Sequence, residues 1–462
     1  MSISSSVTSS DSNSVTWSSK SSFLMATIGI AVGLGNIWRF PYVVGTNGGG
    51  AFVLVYILTL LCFAAPIMIS ELILGRQGKQ DPLSSMKTLV KQNGASKAWH
   101  AIGWLSLLIP FVALSYYSVV AGWTIDYTAQ SLIGTFNNID SEDSTSYFQS
   151  LAGSAGKSIF LLLTFIAFSA FIISRGLKEG LEKSVKFLMP LLFIILILLV
   201  IYAAIAGDFA KGFSYLFSPD LSKITPDVVL AAMGQAFFSL GVGAGSVMAY
   251  GGYLSKDISI PRSVVVVAFA DTLVALLAGL AIFPFVFAFG LEPSSGPGLI
   301  FETLPIAFGQ VAGGQWISLL FFLLLAGAAL TTALSMLECI VRYLSDKYQF
   351  SRVKSTVLAA SGSAVLGLGA AMSFNVLSDF TPLGFIDSLS GKTLFDLMDY
   401  SVANIMIPLN ALLIVLFCAW VMKADVVEQE FSSCKSTFHK PWLIIIKFVA
   451  PIGILAVLLM GL

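Results

Sequence analysis

Polar and flexible residues stand in this chain where apolar sequence should leave none. In the run from Ser21 to Tyr42, Gly33 and Gly35 flank Leu34, and Asn36, Arg39 and Pro41 follow. A second apolar run, Phe237-Phe-Ser-Leu-Gly-Val-Gly-Ala-Gly245, is interrupted by Gly241, Gly243 and Gly245. An interior Gly costs a helix about 1 kcal/mol relative to Ala, so both runs should unwind near their middles. Unwinding frees carbonyl and N–H groups that hydrocarbon cannot satisfy, and these must then face protein, water or a ligand. Close helix packing through small residues explains the glycines alone. It does not explain Asn36 and Arg39 in the same run, so the breaks read as a binding site.

Other oxygen-bearing residues extend the pattern. Asp271 stands in Ala268-Phe-Ala-Asp-Thr-Leu with no basic neighbour, and a bare buried carboxylate is costly unless functional, paired or protonated. Ala328 and Thr331 are three apart, on one helix face, with Thr332 adjacent. Back-bonding of both hydroxyls to their own helix is the ordinary alternative. Glu71 and Glu338 are also set in apolar sequence; Glu71 is expected to bond backbone groups exposed by the breaks. The two histidines, His100 and His439, lie near span ends, and no nucleophile–base pair or metal-ligand spacing is visible, so no enzyme is expected.

These residues must be positioned by membrane-spanning helices. The chain has 462 residues, 56% hydrophobic and 11% charged, beyond what a soluble domain carries. Windows of about 20 residues place eleven spans at 20–42, 50–75, 99–128, 156–174, 182–206, 227–255, 261–289, 315–346, 350–374, 393–421 and 441–462. With the N-terminus inside, most of the 25 Lys and Arg fall on the cytoplasmic side; Lys157, Lys211, Lys223 and Lys392 fall outside, and Arg39 lies within the membrane. Leu462 is then outside. The expected class is an all-α integral membrane protein. Residues 1–19 read as a disordered Ser-rich cytoplasmic tail. Residues 20–206 and 227–421 form two five-span repeats of inverted topology, each opening with a Gly-broken helix. Span 441–462 is peripheral. The formal net charge of zero argues neither for nor against a polyanionic partner, and Cys62, Cys339, Cys418 and Cys434 show no pairing pattern.

The stretches AVGLGNIWRFPY, NGGGAF, GQAFFSLGVGAG and LTTALSMLE resemble the neurotransmitter:sodium symporter family, in particular its bacterial amino-acid transporters with the leucine-transporter fold. Position by position, the resemblance implies one sodium on the carbonyls of Gly29, Val32 and Ala328 and the hydroxyls of Thr331 and Thr332. A second would sit on the carbonyl of Ala31, the side chain of Asn36, Ser239 and Asp271. Gly33 stands where monoamine carriers place an Asp, so the substrate should bring its own carboxylate. That carboxylate would rest on the backbone from Val32 through Gly33 and Leu34 to Gly35, near Tyr117. The amino group would meet carbonyls of Ala31, Phe238 and Gly241, beside Ser239 and Thr332. Ala113, Tyr117, Phe238, Val242, Ala244, Ser335 and Met336 would line the side-chain pocket.

The same resemblance implies an outer gate in which Tyr117 and Phe238 close over the substrate and Arg39 pairs with Asp399 beside Gln235. The inner gate matches at Trp17 and Asp346, but Ser14 replaces its usual Arg; Lys20, or packing of Trp17 on Tyr253, would then close the inside. Gly180 and Pro190 are spaced like a helix that unwinds near the cytoplasm, or else mark a helix start followed by a kink. The expected function is sodium-coupled import of a neutral hydrophobic L-amino acid, with room for a bulky or aromatic side chain. Two sodium sites are expected, and no chloride, because Asp271 supplies the negative charge. An amino-acid sensor or leaky channel on this scaffold is the alternative, motivated by Ser14. The expected partners are the amino acid and the lipid bilayer of a bacterial inner membrane, with no nucleic acid; the exact amino acid and the oligomeric state are left open.

Overall fold

The computed structural model describes residues 16–291, 298–432 and 438–460. Ser14 and Cys434 lie outside the described residues. Among the described residues, nine helices are long and apolar enough to cross a membrane, and a bent pair, Lys20–Ala31 with Gly35–Thr46, makes a tenth crossing. In chain order the crossings are α1 (that pair), α2 (Gly50–Gly78), α3 (Lys97–Leu132), α4 (Ala155–Ser174) and α5 (Leu177–Ala206). Next come α6 (Pro226–Leu240 continued by Ser246–Gly251), α7 (Ile260–Ala288) and α8 (Gly314–Tyr348), then α9 (Arg352–Met372), α10 (Leu394–Val421) and α11 (His439–Leu459). Just before α1, Trp17 packs into the bundle and is only 6% exposed. The helices α3 and α8 are the most buried crossings and α11 the least. Outward faces carry exposed Leu58, Phe160, Ile194 and Phe269, as suits a surface solvated by hydrocarbon.

Both expected breaks are present. The two halves of α1 meet at 46°, and the second begins as a π-helix over Gly35–Arg39. In α6 the break is set by left-handed backbone at Gly241, Gly243 and Gly245, with φ of 61°, 78° and 91°. A side chain there would be strained, and a Cβ on Gly243 would also meet the Ile407 carbonyl at 2.7 Å.

The freed peptide groups of α6 are answered from two sides. Buried Glu71 on α2 accepts the N–H of Gly243 at 2.8 Å, of Gly245 at 3.0 Å and of Met248 at 3.2 Å. Asn410 on α10 donates to the Gly243 carbonyl at 2.7 Å and to Ser106 Oγ on α3 at 3.0 Å. The loop is thus strapped between α2, α3 and α10. Removing the carboxylate strands three donors, each at a cost of about 1–3 kcal/mol. Glu71→Ala should therefore lower the Tm of the detergent-solubilised protein by several degrees, with Glu71→Gln intermediate, as read by thermal shift. An unchanged Tm for Glu71→Ala would mean that the loop does not depend on this carboxylate.

Candidate functional site

The two breaks face each other across a cavity of about 60 Å³. Its walls come from α1, α3, α6, α8 and α10. Of the residues named from the sequence, Ala31, Gly33, Leu34, Gly35, Ala113, Tyr117, Phe238, Gly241, Ala244, Thr332, Ser335 and Met336 line it. Val32, Ser239 and Val242 do not. Both valine side chains are fully buried in packing, and the Ser239 hydroxyl turns away to Asp271 at 2.7 Å. Ile30, Ile109, Pro110, Tyr116, Ser246, Val402 and Ile407 complete the wall and were missed. Val402 and Ile407 belong to α10, which offers no glycine or polar cue at those positions, so nothing in the pattern pointed to them.

One end of the cavity is polar. The Tyr117 hydroxyl is buried without a completed hydrogen bond, beside the Leu34 N–H and the Thr332 hydroxyl. A Cβ on Gly33 would collide with Thr332 Oγ1 and stand 3.4 Å from the Tyr117 oxygen, so a glycine is what keeps this corner open. Hydroxyl and amide donors converging on one corner suit an anionic oxygen. The remaining walls are apolar, and Met336, flexible and polarizable, can adapt to the shape of an occupant.

Behind the cavity lies a buried carboxylate. Asp271 accepts from Asn36 Nδ2 at 2.8 Å, Ser239 Oγ at 2.7 Å and Tyr56 O–H at 2.8 Å. Asn36 Nδ2 also donates to the Asp271 carbonyl at 3.0 Å. Asp271 is fully buried, and none of the ion pairs among the described residues includes it. The Asn36 Oδ1 atom is buried without a partner. A carboxylate lacking a protein cation and an amide oxygen lacking a donor therefore stand side by side.

A second oxygen cluster joins α1 to α8. Thr332 Oγ1 lies 3.4 Å from both the Gly29 and Ala328 carbonyls, and Thr331 donates to the Ala328 carbonyl at 2.9 Å. Thr331 thus back-bonds within its helix, whereas Thr332 reaches across to α1. A Cβ on Gly29 would stand 3.3 Å from Thr331 Cβ, so α1 and α8 touch closely here.

The outer side departs from expectation. Arg39 forms no ion pair with Asp399 within 4 Å; its guanidinium sits over the Phe238 ring, 4.5 Å from the centroid, and Asp399 lies beside Tyr116. The Phe238 ring thus faces the Arg39 cation and the Tyr116 hydroxyl meets the Asp399 carboxylate, while the two charges still act on each other across the gap. Gln235 donates to the Gly35 carbonyl at 2.9 Å.

On the inner side Trp17 donates its indole N–H to the Tyr250 carbonyl at 3.1 Å and packs on Tyr250 and Tyr253. Asp346 is held at 3.5 Å by Arg342, one turn back on α8, and shares a cavity wall with Thr16; Ser14 lies outside the described residues. Glu338 acquires a clear role: fully buried, it is clasped by the Arg352 guanidinium and accepts from Tyr253 O–H at 2.8 Å.

Comparison with known proteins agrees with this architecture. The sodium:neurotransmitter symporter family model matches residues 14–144 and 145–462. An uncharacterized sodium-dependent transporter of Haemophilus influenzae is 37% identical, covering 97% of this chain and 98% of its own. An uncharacterized sodium-dependent transporter of Bacillus subtilis, YhdH, is 34% identical over 97% of this chain and 98% of its own. The crystal structure of MhsT in complex with L-phenylalanine superposes with a TM-score of 0.88 at 37% identity, covering 97% of this chain and 100% of that one. With its two interrupted crossings and long specific motifs, this chain belongs to the sodium:neurotransmitter symporter family.

Proposed function

We propose that the protein is a secondary symporter that couples inward sodium movement to uptake of a neutral hydrophobic L-amino acid. The observation that carries this reading is the pairing of the unneutralised Asp271 carboxylate with the unpartnered Asn36 oxygen, directly behind a cavity with one polar corner. A buried anion without a protein cation favours a bound cation, and hard oxygen donors suit an alkali ion. Asn36, Asp271, Ser239 and the Ala31 carbonyl form one sodium site. Gly29, Val32 and Ala328 carbonyls with Thr331 and Thr332 form the other. The substrate carboxylate takes the Tyr117 corner, and its side chain takes the apolar wall. That MhsT was solved with L-phenylalanine supports an aromatic or bulky aliphatic side chain here as well.

In this reading sodium and substrate lower the free energy of the closed state more than that of the open ones, which is the only way a ligand drives the cycle. The N-terminus is cytoplasmic and the two halves, 20–206 and 227–421, are inverted repeats in a prokaryotic plasma membrane. Chloride is not required, since Asp271 already occupies the Tyr56 and Ser239 hydroxyls that an anion would need.

Two measurements test this. In proteoliposomes with a sodium gradient, uptake of a hydrophobic amino acid should persist when chloride is replaced by gluconate and vanish when choline replaces sodium. Uptake that collapses in gluconate overturns the chloride-independent assignment. Tyr117→Phe removes a hydroxyl donor to a charged oxygen, worth about 1.5–3 kcal/mol, so the KM for the amino acid should rise about tenfold or more. A wild-type KM in Tyr117→Phe would show that the substrate carboxylate lies elsewhere.

A further inference from the structure

The N-terminal segment is held to the body of the protein by an acidic residue that the expected gate does not include. Glu182, in the π-helical first turns of α5 and only 2% exposed, accepts the Ser18 N–H at 3.0 Å and the Ser18 hydroxyl. Ser18 Oγ in turn meets Ser22 Oγ at 2.8 Å, and Ser22 Oγ meets Ser19 Oγ, the cap of α1, at 2.9 Å. Lys186, one turn on, lies 3.4 Å from the Glu182 carboxylate and 3.3 Å from Ser18 Oγ. A carboxylate at the amino end of α1 is also favoured by the helix dipole.

The same face of α5 continues to the Gly29 cluster. Val185 and Met189 lie three and seven residues beyond Glu182, one stripe of the helix. A Cβ on Gly29 would meet Val185 at 3.7 Å and Met189 at 3.9 Å, as well as Thr331. The seam between α1 and α5 therefore runs from a polar clasp at its Ser18 end to an apolar contact directly against Gly29 and Thr331. The other charged group expected to hold the N-terminus, Asp346, is engaged by Arg342.

We propose that Glu182 is a positioning residue of the transport cycle: by clasping Ser18 and Ser22 it keeps the α1–α5 seam shut and the Gly29–Thr331–Thr332 ion site shielded from the cytoplasm. The proposal rests on the sodium-site reading given above. Loss of the clasp shifts the protein toward a state with the seam open, which sodium must then work against, so apparent sodium affinity falls while the substrate pocket is unaltered.

The test is hydrogen–deuterium exchange on the full chain in nanodiscs, with and without sodium, together with the sodium dependence of amino-acid binding. The proteins are wild type, Glu182→Gln, Glu182→Ala and, as control, Glu179→Gln, whose side chain on the same turn is 79% exposed. In sodium, exchange in segments 17–27 and 177–187 should rise in Glu182→Ala and less in Glu182→Gln, and exchange in the other crossings should not. Half-saturating sodium should increase about tenfold in Glu182→Ala, the loss expected for charge-assisted hydrogen bonds, with full binding capacity recovered at high sodium. The control should match wild type. Exchange raised throughout the chain, or sodium half-saturation and segment exchange equal to wild type in Glu182→Ala, overturns the proposal. If wild type itself shows no sodium-dependent protection of these segments, it is the sodium-site reading that fails.

Discussion

Peptide groups released at the middle of a membrane crossing must be satisfied without bulk water, and that requirement organises this molecule. Breaking α1 and α6 exposes donors and acceptors at a depth where each unmet group is costly. The scaffold answers most of them: Glu71 takes three N–H groups, Asn410 takes the Gly243 carbonyl, and Gln235 takes the Gly35 carbonyl. Beside the break in α1, two buried side-chain atoms are left without a partner. Asn36 Oδ1 and the Tyr117 hydroxyl are both buried and unpartnered, and both flank the break in α1.

The electrostatics follow the same logic. Asp271 is stabilised by three neutral donors from α1, α2 and α6, which lowers the cost of burial without cancelling the charge. Four crossings thereby converge on one carboxylate, so any change in its charge balance is felt by both broken helices at once. In the proposed symport reading, an ion bound at that point would bias both broken helices together.

The face proposed to be cytoplasmic is held by a different kind of chemistry. The Glu338–Arg352–Tyr253 cluster and the Arg342 guanidinium, which donates to the Ala249, Lys79 and Gly252 carbonyls, tie α8 to α9 and to the end of α6. These are multivalent, buried contacts on unbroken helices. The start of α1 is attached through Trp17 to the end of α6 and through Ser18 to α5.

Composition and glycine spacing were enough to read the all-α membrane class, the crossings and the two breaks, because bilayer thickness dictates helix length and an interior glycine weakens a helix wherever it falls. The polar residues that had to be useful in apolar sequence, Asn36, Glu71, Asp271 and Thr332, were legible for the same reason: hydrocarbon tolerates them only with partners. Tertiary structure alone decided which partners they found. Arg39 lies over Phe238 and apart from Asp399, Asp346 is held within its own helix, and Glu338 is clasped by Arg352, choices made by side-chain reach and competing neighbours that spacing does not encode. The α10 wall of Val402 and Ile407, and the grip of Glu182 on Ser18, join residues more than 150 positions apart in helices whose order in the chain says little about which faces meet.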